Sequence, residues 1–506
     1  MFEWIFISGL LVAFYNAWGI GANDCANSFS TSVGAKVLTL NQAIIVAGVF
    51  EFSGAVLMGS QVTDTVRKTI VDIDIFRNNP GVLMLGMLCA NLSSAIWLTL
   101  ATYFKLPVST THSIIGGILG FSLVYGSKSA IKWKKIIFIF SGWIISPLIA
   151  GIISYIIFGV ILKFIFKSKK PYEYTLILFP ILTFFTFFIN VLFIIYKGTP
   201  NLDLDKIELW KCMLISISVG LVTSLMAQFL YLPYIKKKIN KINENEESTT
   251  EIPENTRTDS YINTIENNEN NYIYSNDKSI EFNIKEAENY TQKLKDNKNN
   301  HQIDTLHDNA FIIEPKSEKL CNWIQIITAC FSSFAHGSND VANSIAPLAT
   351  IYSIYKTDNI VDKSEVPIWI LLLGGIGIVF GLATWGYKII NRMGKELTKV
   401  TPSRGFIIEL AAATTVIIAS RAKIPVSTTH CQVGSILGCG MVGGKKNIQW
   451  KLLKSILFSW LITLPVTGII SALLFSFGYY SPHSFYITNS NSSYDLNFTK
   501  NISLVQ

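Results

Sequence analysis

The chain reads as an all-α polytopic membrane protein of about 12 helical segments, arranged as two inverted repeats with broken or re-entrant helices. Three observations carry that reading. Half of the 506 residues are hydrophobic and only 15% are charged, where a soluble chain carries roughly 25%. Mean hydropathy is +0.38, and many apolar runs exceed the roughly 20 residues that a bilayer crossing needs. The third observation is a polar block that occurs twice. Gly21-Ala22-Asn23-Asp24-Cys25-Ala26-Asn27-Ser28 recurs as Gly337-Ser338-Asn339-Asp340-Val341-Ala342-Asn343-Ser344, identical at six of eight positions. In each half a second block follows at similar spacing: Val108-Ser109-Thr110-Thr111-His112, then Val426-Ser427-Thr428-Thr429-His430. Two blocks repeated in one order mark a duplicated unit.

Apolar segments run roughly over 4–22, 42–60, 82–104, 108–124, 136–162, 174–196 and 210–234. After a polar stretch come about 323–336, 366–390, 405–421, 426–442 and 452–478. Segments 108–124 and 426–442 are short, rich in Ser, Thr and Gly, and follow Pro107 and Pro425. They read as hairpin arms or broken helices, as do the polar stretches after Gly21 and Gly337. Seven segments precede the second unit, so it inserts upside down relative to the first, a plan shared by many secondary transporters. The division is a first membrane repeat over 1–165, two connecting membrane helices over 166–235 and a second repeat over 321–480.

Residues 236–320 open with Lys236-Lys237-Lys238 and turn Asn-, Glu-, Lys- and Asp-rich. With too few apolar residues for a core they read as a disordered loop, which the basic run places in the cytoplasm. Lys388, Arg392, Lys395, Lys399 and Arg404 fall on the same side, whereas Lys128, Lys132, Lys134 and Lys135 fall on the other. Both termini are then extracytoplasmic, with a polar tail over 481–506. That tail holds sequons at Asn491, Asn497 and Asn501, triplets that Asn-rich sequence also produces by chance. No basic region precedes the first span, so no cleaved signal peptide is expected. Without an organelle address the plasma membrane is the expected location.

The net charge of +8 comes with Lys clustered at span ends, which reads as topology and contact with lipid headgroups rather than nucleic-acid binding. Seven Cys residues form no CxxC pair. They read as small buried residues rather than a metal or disulfide framework.

The repeated blocks carry the chemistry. Pro107 and Pro425 disfavour helix just before the Ser-Thr-Thr runs, so helices start at these runs. A helix start offers unpaired N–H donors and a positive dipole end, and with nearby hydroxyls it makes an anion site. Two such starts facing each other suit a tetrahedral oxyanion, with capping and close helix packing as the plainer role of one copy alone. Asp24 and Asp340 within apolar spans cost roughly 3 kcal/mol each on insertion scales and are rarely idle. Carboxylate with amide oxygens from Asn23, Asn27, Asn339 and Asn343 is hard-cation chemistry, sodium first and a proton second. No His/Cys cluster suggests a transition metal. The alternative for these residues is helix capping and interhelical bonding. Glu51 is a further carboxylate within a span, and Glu409 stands where the first repeat has Asn91. His112 and His430 either donate to the anion, set a pH dependence or simply pack between helices.

Taken together, Gly21-Ala22-Asn23-Asp24 through Val33-Gly34, its second copy and both Ser-Thr-Thr-His blocks closely resemble the inorganic phosphate transporter (PiT) family. The resemblance covers both membrane halves and leaves out the central loop and the tail. It implies phosphate uptake coupled to sodium, or in some members to protons, with inorganic phosphate and sodium as partners and no cofactor. It implies phosphate contacts from Ser109, Thr110, Thr111, Ser427, Thr428 and Thr429 with Asn23 and Asn339 nearby. It also implies cation contacts from Asp24 and Asp340, and transport roles for Glu51 and Glu409. Cys25 and Ser30 depart from the commoner Val and Gly without removing a ligand. The expectation is a phosphate symporter and no enzyme, with a possible homodimer. Other readings are a permease for another oxyanion, a phosphate sensor, or an intramembrane hydrolase. Against the last, Ser and His lie three residues apart in each copy and the whole set is duplicated.

Overall fold

The computed structural model describes residues 2–24, 26–60, 72–126, 131–197, 207–239, 310–361, 366–421 and 426–481. Most of the expected loop, the tail with its sequons, Cys25, Lys128 and Pro425 lie outside the described residues. Among the described residues there is no strand. The first half contains α1 (Glu3–Asn23), α2 (Ala26–Gly34), α3 (Leu40–Met58), α4 (Pro80–Tyr103), α5 (Thr110–Gly126) and α6 (Trp133–Ile161). Two connecting helices follow, α7 (Pro171–Lys197) and α8 (Leu209–Met226). The second half contains α9 (Pro315–Thr357), α10 (Ile368–Trp385), α11 (Tyr387–Asn391), α12 (Pro402–Arg421), α13 (Thr428–Met441) and α14 (Trp450–Tyr480). Among the described residues, 8 helical stretches are long and apolar enough to cross a membrane.

Local sequence sets several starts. Thr39 and Gln42 form a reciprocal capping box at α3, with Gln42 N–H donating to Thr39 Oγ1 and Thr39 N–H to Gln42 Oε1. Pro80 and Pro315 open α4 and α9, where a missing N–H costs no helical bond.

The two halves run in opposite directions. Gly9 of α1 meets Ile351 of α9, Asn16 Nδ2 donates to the Asn343 carbonyl, Asp24 faces His336, and Thr31 of α2 meets Thr328 through the Glu409 carboxylate. The path of α1 and α2 thus descends α9 from its end towards its start, as inverted repeats require.

The short Ser-Thr-Thr-His segments are return arms of hairpins. Phe76, just before α4, stacks on Tyr125 at the end of α5 with ring centroids 4.9 Å apart. In the second half Gln449 N–H, beyond α13, donates to the Leu397 carbonyl before α12 at 3.0 Å. Each pair therefore leaves and returns at one end of the bundle, and the two hairpins open at opposite ends. α5 and α13, with 17 and 14 residues, reach only about 20–26 Å at 1.5 Å per residue, short of a hydrocarbon core of about 30 Å.

Two details differ from the sequence reading. The second Asn-Asp copy lies inside the unbroken α9, whereas the first spans the end of α1 at Asn23 and the start of α2 at Ala26. Helix also enters the expected 236–320 loop from both ends: the helix containing α8 runs to Ile239, and α9 begins at Pro315. Ile313, Leu320 and Cys321 explain the second, because all three are buried in the core. The two basic groups do stand at opposite ends, as read: Lys132, Lys134 and Lys135 at the start of α6, at the bundle end holding Phe76, and Lys388 and Arg392 beside Tyr103 and Phe104 at the far end of α4. Lys132 faces Asp72 at 3.9 Å.

The halves are interlaced at glycine crossings. A Cβ on Gly21 would sit 1.8 Å from the Ile378 carbonyl oxygen, and one on Gly381 1.8 Å from that of Trp18. The crossing of α3 and α9 repeats this, with Gly54 against the Phe334 carbonyl and Gly337 against that of Glu51, at 2.0 and 2.1 Å. Backbones this close admit no side chain. Gly381→Ala is expected to destabilise the protein by about 1–3 kcal/mol through forced overpacking. Gly159→Ala, where a Cβ meets nothing within 4 Å, is expected to stay within about 0.5 kcal/mol of the parent. Unfolding temperatures of the two purified variants, measured side by side, check this.

Candidate functional site

The first Asn-Asp copy and both hairpin turns meet at the centre of the bundle. Asn23 is spent on the neighbouring hairpin: its Oδ1 accepts Val108 N–H at 2.9 Å, while Nδ2 donates to Leu106 O and Thr102 Oγ1 at 2.9 and 3.0 Å. Helix α1 stops there. At the hairpin tips, Ser109 Oγ accepts His112 N–H at 3.3 Å and Ser427 Oγ accepts His430 N–H at 3.4 Å. Both serines are N-caps, and the threonines that follow them turn inward.

The result is a nearly two-fold arrangement around the aspartates. Thr110 Oγ1 donates to Asp24 Oδ2 at 2.8 Å, and Thr428 Oγ1 to Asp340 Oδ2 at 3.2 Å. Asn27 Nδ2 lies 2.9 Å from Asp24 Oδ1 and 3.3 Å from Thr429 Oγ1. Asn343 Nδ2 lies 3.1 Å from Asp340 Oδ1 and 3.3 Å from Thr111 Oγ1. Two bonds cross between the halves without a mirror image: Thr429 Oγ1 donates to Asp24, and Asn343 Nδ2 donates to Thr110 Oγ1 at 3.0 Å. Among the described residues Asn339, half-buried, reaches only its neighbour Asp340, at 3.3 Å.

His336 breaks the symmetry, because Ile20 occupies its position in the first copy. Its Nε2 lies 2.8 Å from Asp340 Oδ2 and 3.5 Å from Asp24 Oδ1, and its Nδ1 faces Glu51 Oε2 at 3.2 Å. Glu51 Oε1 also accepts from Ser333 Oγ at 2.9 Å. The reciprocal glycine crossings align Glu51 with Ile378, so this carboxylate too belongs to one half only. Asp24, Asp340, Glu51 and His336 are all buried. Asp24, His336 and Asp340 offer ligand atoms within 4.8 Å of one another. Three carboxylates around one imidazole leave an excess of negative charge, which suits a cation. Sequence reading found no imidazole here, although His336 precedes Asp340 by one helical turn and therefore shares its face. An ionisable residue in an apolar span was the available signal.

Glu409 stands apart from this cluster. Its carboxylate, fully buried, accepts from Thr328 Oγ1 at 2.6 Å and from Thr31. Asn91, in the matching position of α4, performs a different task. Pro347 has no N–H, so the helix leaves the Asn343 carbonyl without its usual partner. Asn16 donates to that carbonyl, and Asn91 donates to Ser344 O at 3.0 Å while accepting from Asn16.

The block histidines face each other rather than the aspartates. Their rings meet edge-on at 4.5 Å, His112 against Trp143 and His430 against Trp460. His430 Nδ1 lies 3.2 Å from the Trp143 carbonyl, which Pro147 leaves free by the same logic.

A sequence profile described as the phosphate transporter family matches residues 20–471. The chain belongs to this family. Sodium-dependent phosphate transporter 1 of Rattus norvegicus and that of Homo sapiens are each 31% identical to it, over 93% of this chain and 95% of theirs. Sodium-dependent phosphate transporter 1-A of Danio rerio is 31% identical over 94% of this chain. A solved structure titled the sodium-dependent phosphate transporter superposes with a TM-score of 0.72 at 31% identity, covering 93% of this chain and 98% of that one. The fold class and the family expected from the repeated blocks are thereby established.

Asn91→Leu is expected to remove the bonds that Asn91 makes with the Ser344 carbonyl and with Asn16, at a cost of about 1–3 kcal/mol. A lowered unfolding temperature would show it; an unchanged one would mean that these polar groups find other partners.

Proposed function

We propose that the chain is a secondary active symporter that imports inorganic phosphate with sodium, alternating access around the central site. The observation that carries this is the bonding of Thr110 and Thr428 to Asp24 and Asp340. A cation on these carboxylates competes for the same oxygen lone pairs and turns the threonine hydroxyls loose as donors for an anion. Cation binding thereby builds the anion site, which is coupling in structural terms. Sodium is held by Asp24 and Asp340 with Asn27 and Asn343, and Glu51 acts on them through His336. Phosphate is held by Thr110, Thr111, Thr428 and Thr429 at the helix starts that Ser109 and Ser427 cap. Asn23 braces the turn, Asn339 flanks the opposite side, and Glu409 acts from its threonine pocket.

The units over 1–165 and 321–480 move relative to each other, with the 236–320 segment cytoplasmic, both termini extracytoplasmic and the plasma membrane as the site of action. A hydrolase reading loses support at the hairpin tips, where each serine hydroxyl faces the backbone N–H of the histidine and not its ring.

Radiolabelled phosphate uptake into proteoliposomes tests this with imposed gradients of sodium, of protons, or of neither. Sodium alone is expected to drive uptake. Uptake driven by protons alone would move the coupling to a protonated carboxylate, and binding without uptake would favour a sensor. Asp24→Asn and Asp340→Asn are each expected to abolish sodium-driven uptake while the protein remains folded. Normal transport by both variants would remove the cation assignment.

A further inference from the structure

Beside the carboxylate cluster lies a cavity of about 40 Å³ between α7 and helices α2, α9, α12 and α13. At roughly 10–15 Å³ per water it has room for about three waters, or for one small oxyanion. Asn27, Ser28, His336 and Thr428 connect it to the site described above, while Asn190 and Gln432 belong to no block of the repeat. No carboxylate is among its described lining residues. Gln432 is 4% exposed, yet among the described residues its Nε2 has no hydrogen-bond partner. A buried, unanswered N–H donor in a polar cavity calls for an acceptor. Asn190, 5% exposed, supplies the opposite polarity: its Nδ2 donates to Thr186 O at 2.7 Å, which fixes the amide and turns Oδ1 away as an acceptor. Asn27 Oδ1, also buried, has no hydrogen-bond partner among the described residues either.

We propose that this cavity is an anion subsite adjoining the central site, in which Gln432 donates to a phosphate oxygen and Asn190 accepts a proton-bearing one. It rests on the reading of the chain as a phosphate transporter and adds to it a basis for selectivity. Phosphate near neutral pH keeps at least one O–H and satisfies both residues. Sulfate has none, so its oxygens meet the Asn190 carbonyl lone pairs without a hydrogen between them. The subsite also gives α7, which lies outside both repeats, a share in substrate recognition.

The test is equilibrium binding of radiolabelled phosphate to the purified full chain in sodium, with sulfate as competitor, alongside uptake in proteoliposomes. Gln432→Ala is expected to weaken phosphate and sulfate alike by about tenfold, the worth of one hydrogen bond. Asn190→Ala is expected to weaken phosphate by a similar factor and to make sulfate a stronger competitor, so that selectivity falls. If an alanine variant does not fold, Gln432→Asn and Asn190→Ser make the same comparison with a smaller change. Parental phosphate affinity and parental sulfate competition in both variants, with binding lost in Thr428→Ala, would overturn the subsite and leave the transporter reading intact. Intact phosphate binding with no uptake under any gradient would overturn the symport reading instead, and the binding split would still decide the subsite.

Discussion

Among the described residues four carboxylates are buried in this bundle, and removing each from water costs several kcal/mol unless donors meet it. Most of what is unusual about the chain follows from meeting that cost. Asp24 is surrounded by donors from α2, α5 and α13, Asp340 by donors from α9 and α13, and the imidazole of His336 is shared among three acids. Glu409 has two threonines. No half of the chain provides all the partners of its own acids. The duplicated unit solves the desolvation problem only in the company of its inverted copy.

Helices must come close for hydroxyls and short amides to reach across, and glycine makes that possible. At the crossings of α1 with α10 and of α3 with α9 the space of a methyl group is occupied by a carbonyl oxygen of the other half. Proline contributes in the opposite sense. Pro147 and Pro347 each release a carbonyl inside a long helix, and His430 and Asn16 take up the released groups. Close approach and planned gaps in the helical ladder thus serve one polar network.

The duplicated blocks, the apolar runs and the two prolines before the Ser-Thr-Thr segments made the helical class, the inversion and the short hairpin arms legible, because they are local patterns. The aspartates were legible as costly residues in apolar spans. What local pattern does not contain is which acid meets which donor. His336 escaped notice because its partners Asp24 and Glu51 lie some three hundred residues away in the chain. Asn23 and Asn27 look alike in sequence, yet one faces the hairpin turn and the other the aspartate. Glu409 and Asn91 likewise share a position and differ in role. Asn190 and Gln432 belong to no repeated motif, and only the packing of α7 against the second half draws attention to them.

The interlacing of the halves also constrains how the protein is made. Residues of α1 and α3 leave the ribosome early, but the surfaces they cover belong to α9 and α10. At roughly 5–20 residues per second, the intervening chain takes on the order of tens of seconds to appear. During that interval Asp24, Glu51 and the bare glycine surfaces of the first half reside in the membrane without their final neighbours. Premature helix pairing or loss from the bilayer competes with waiting. Biogenesis of this chain is therefore a problem of holding a half-finished polar interior until its complement arrives, and the stretch between the halves sets the length of the delay.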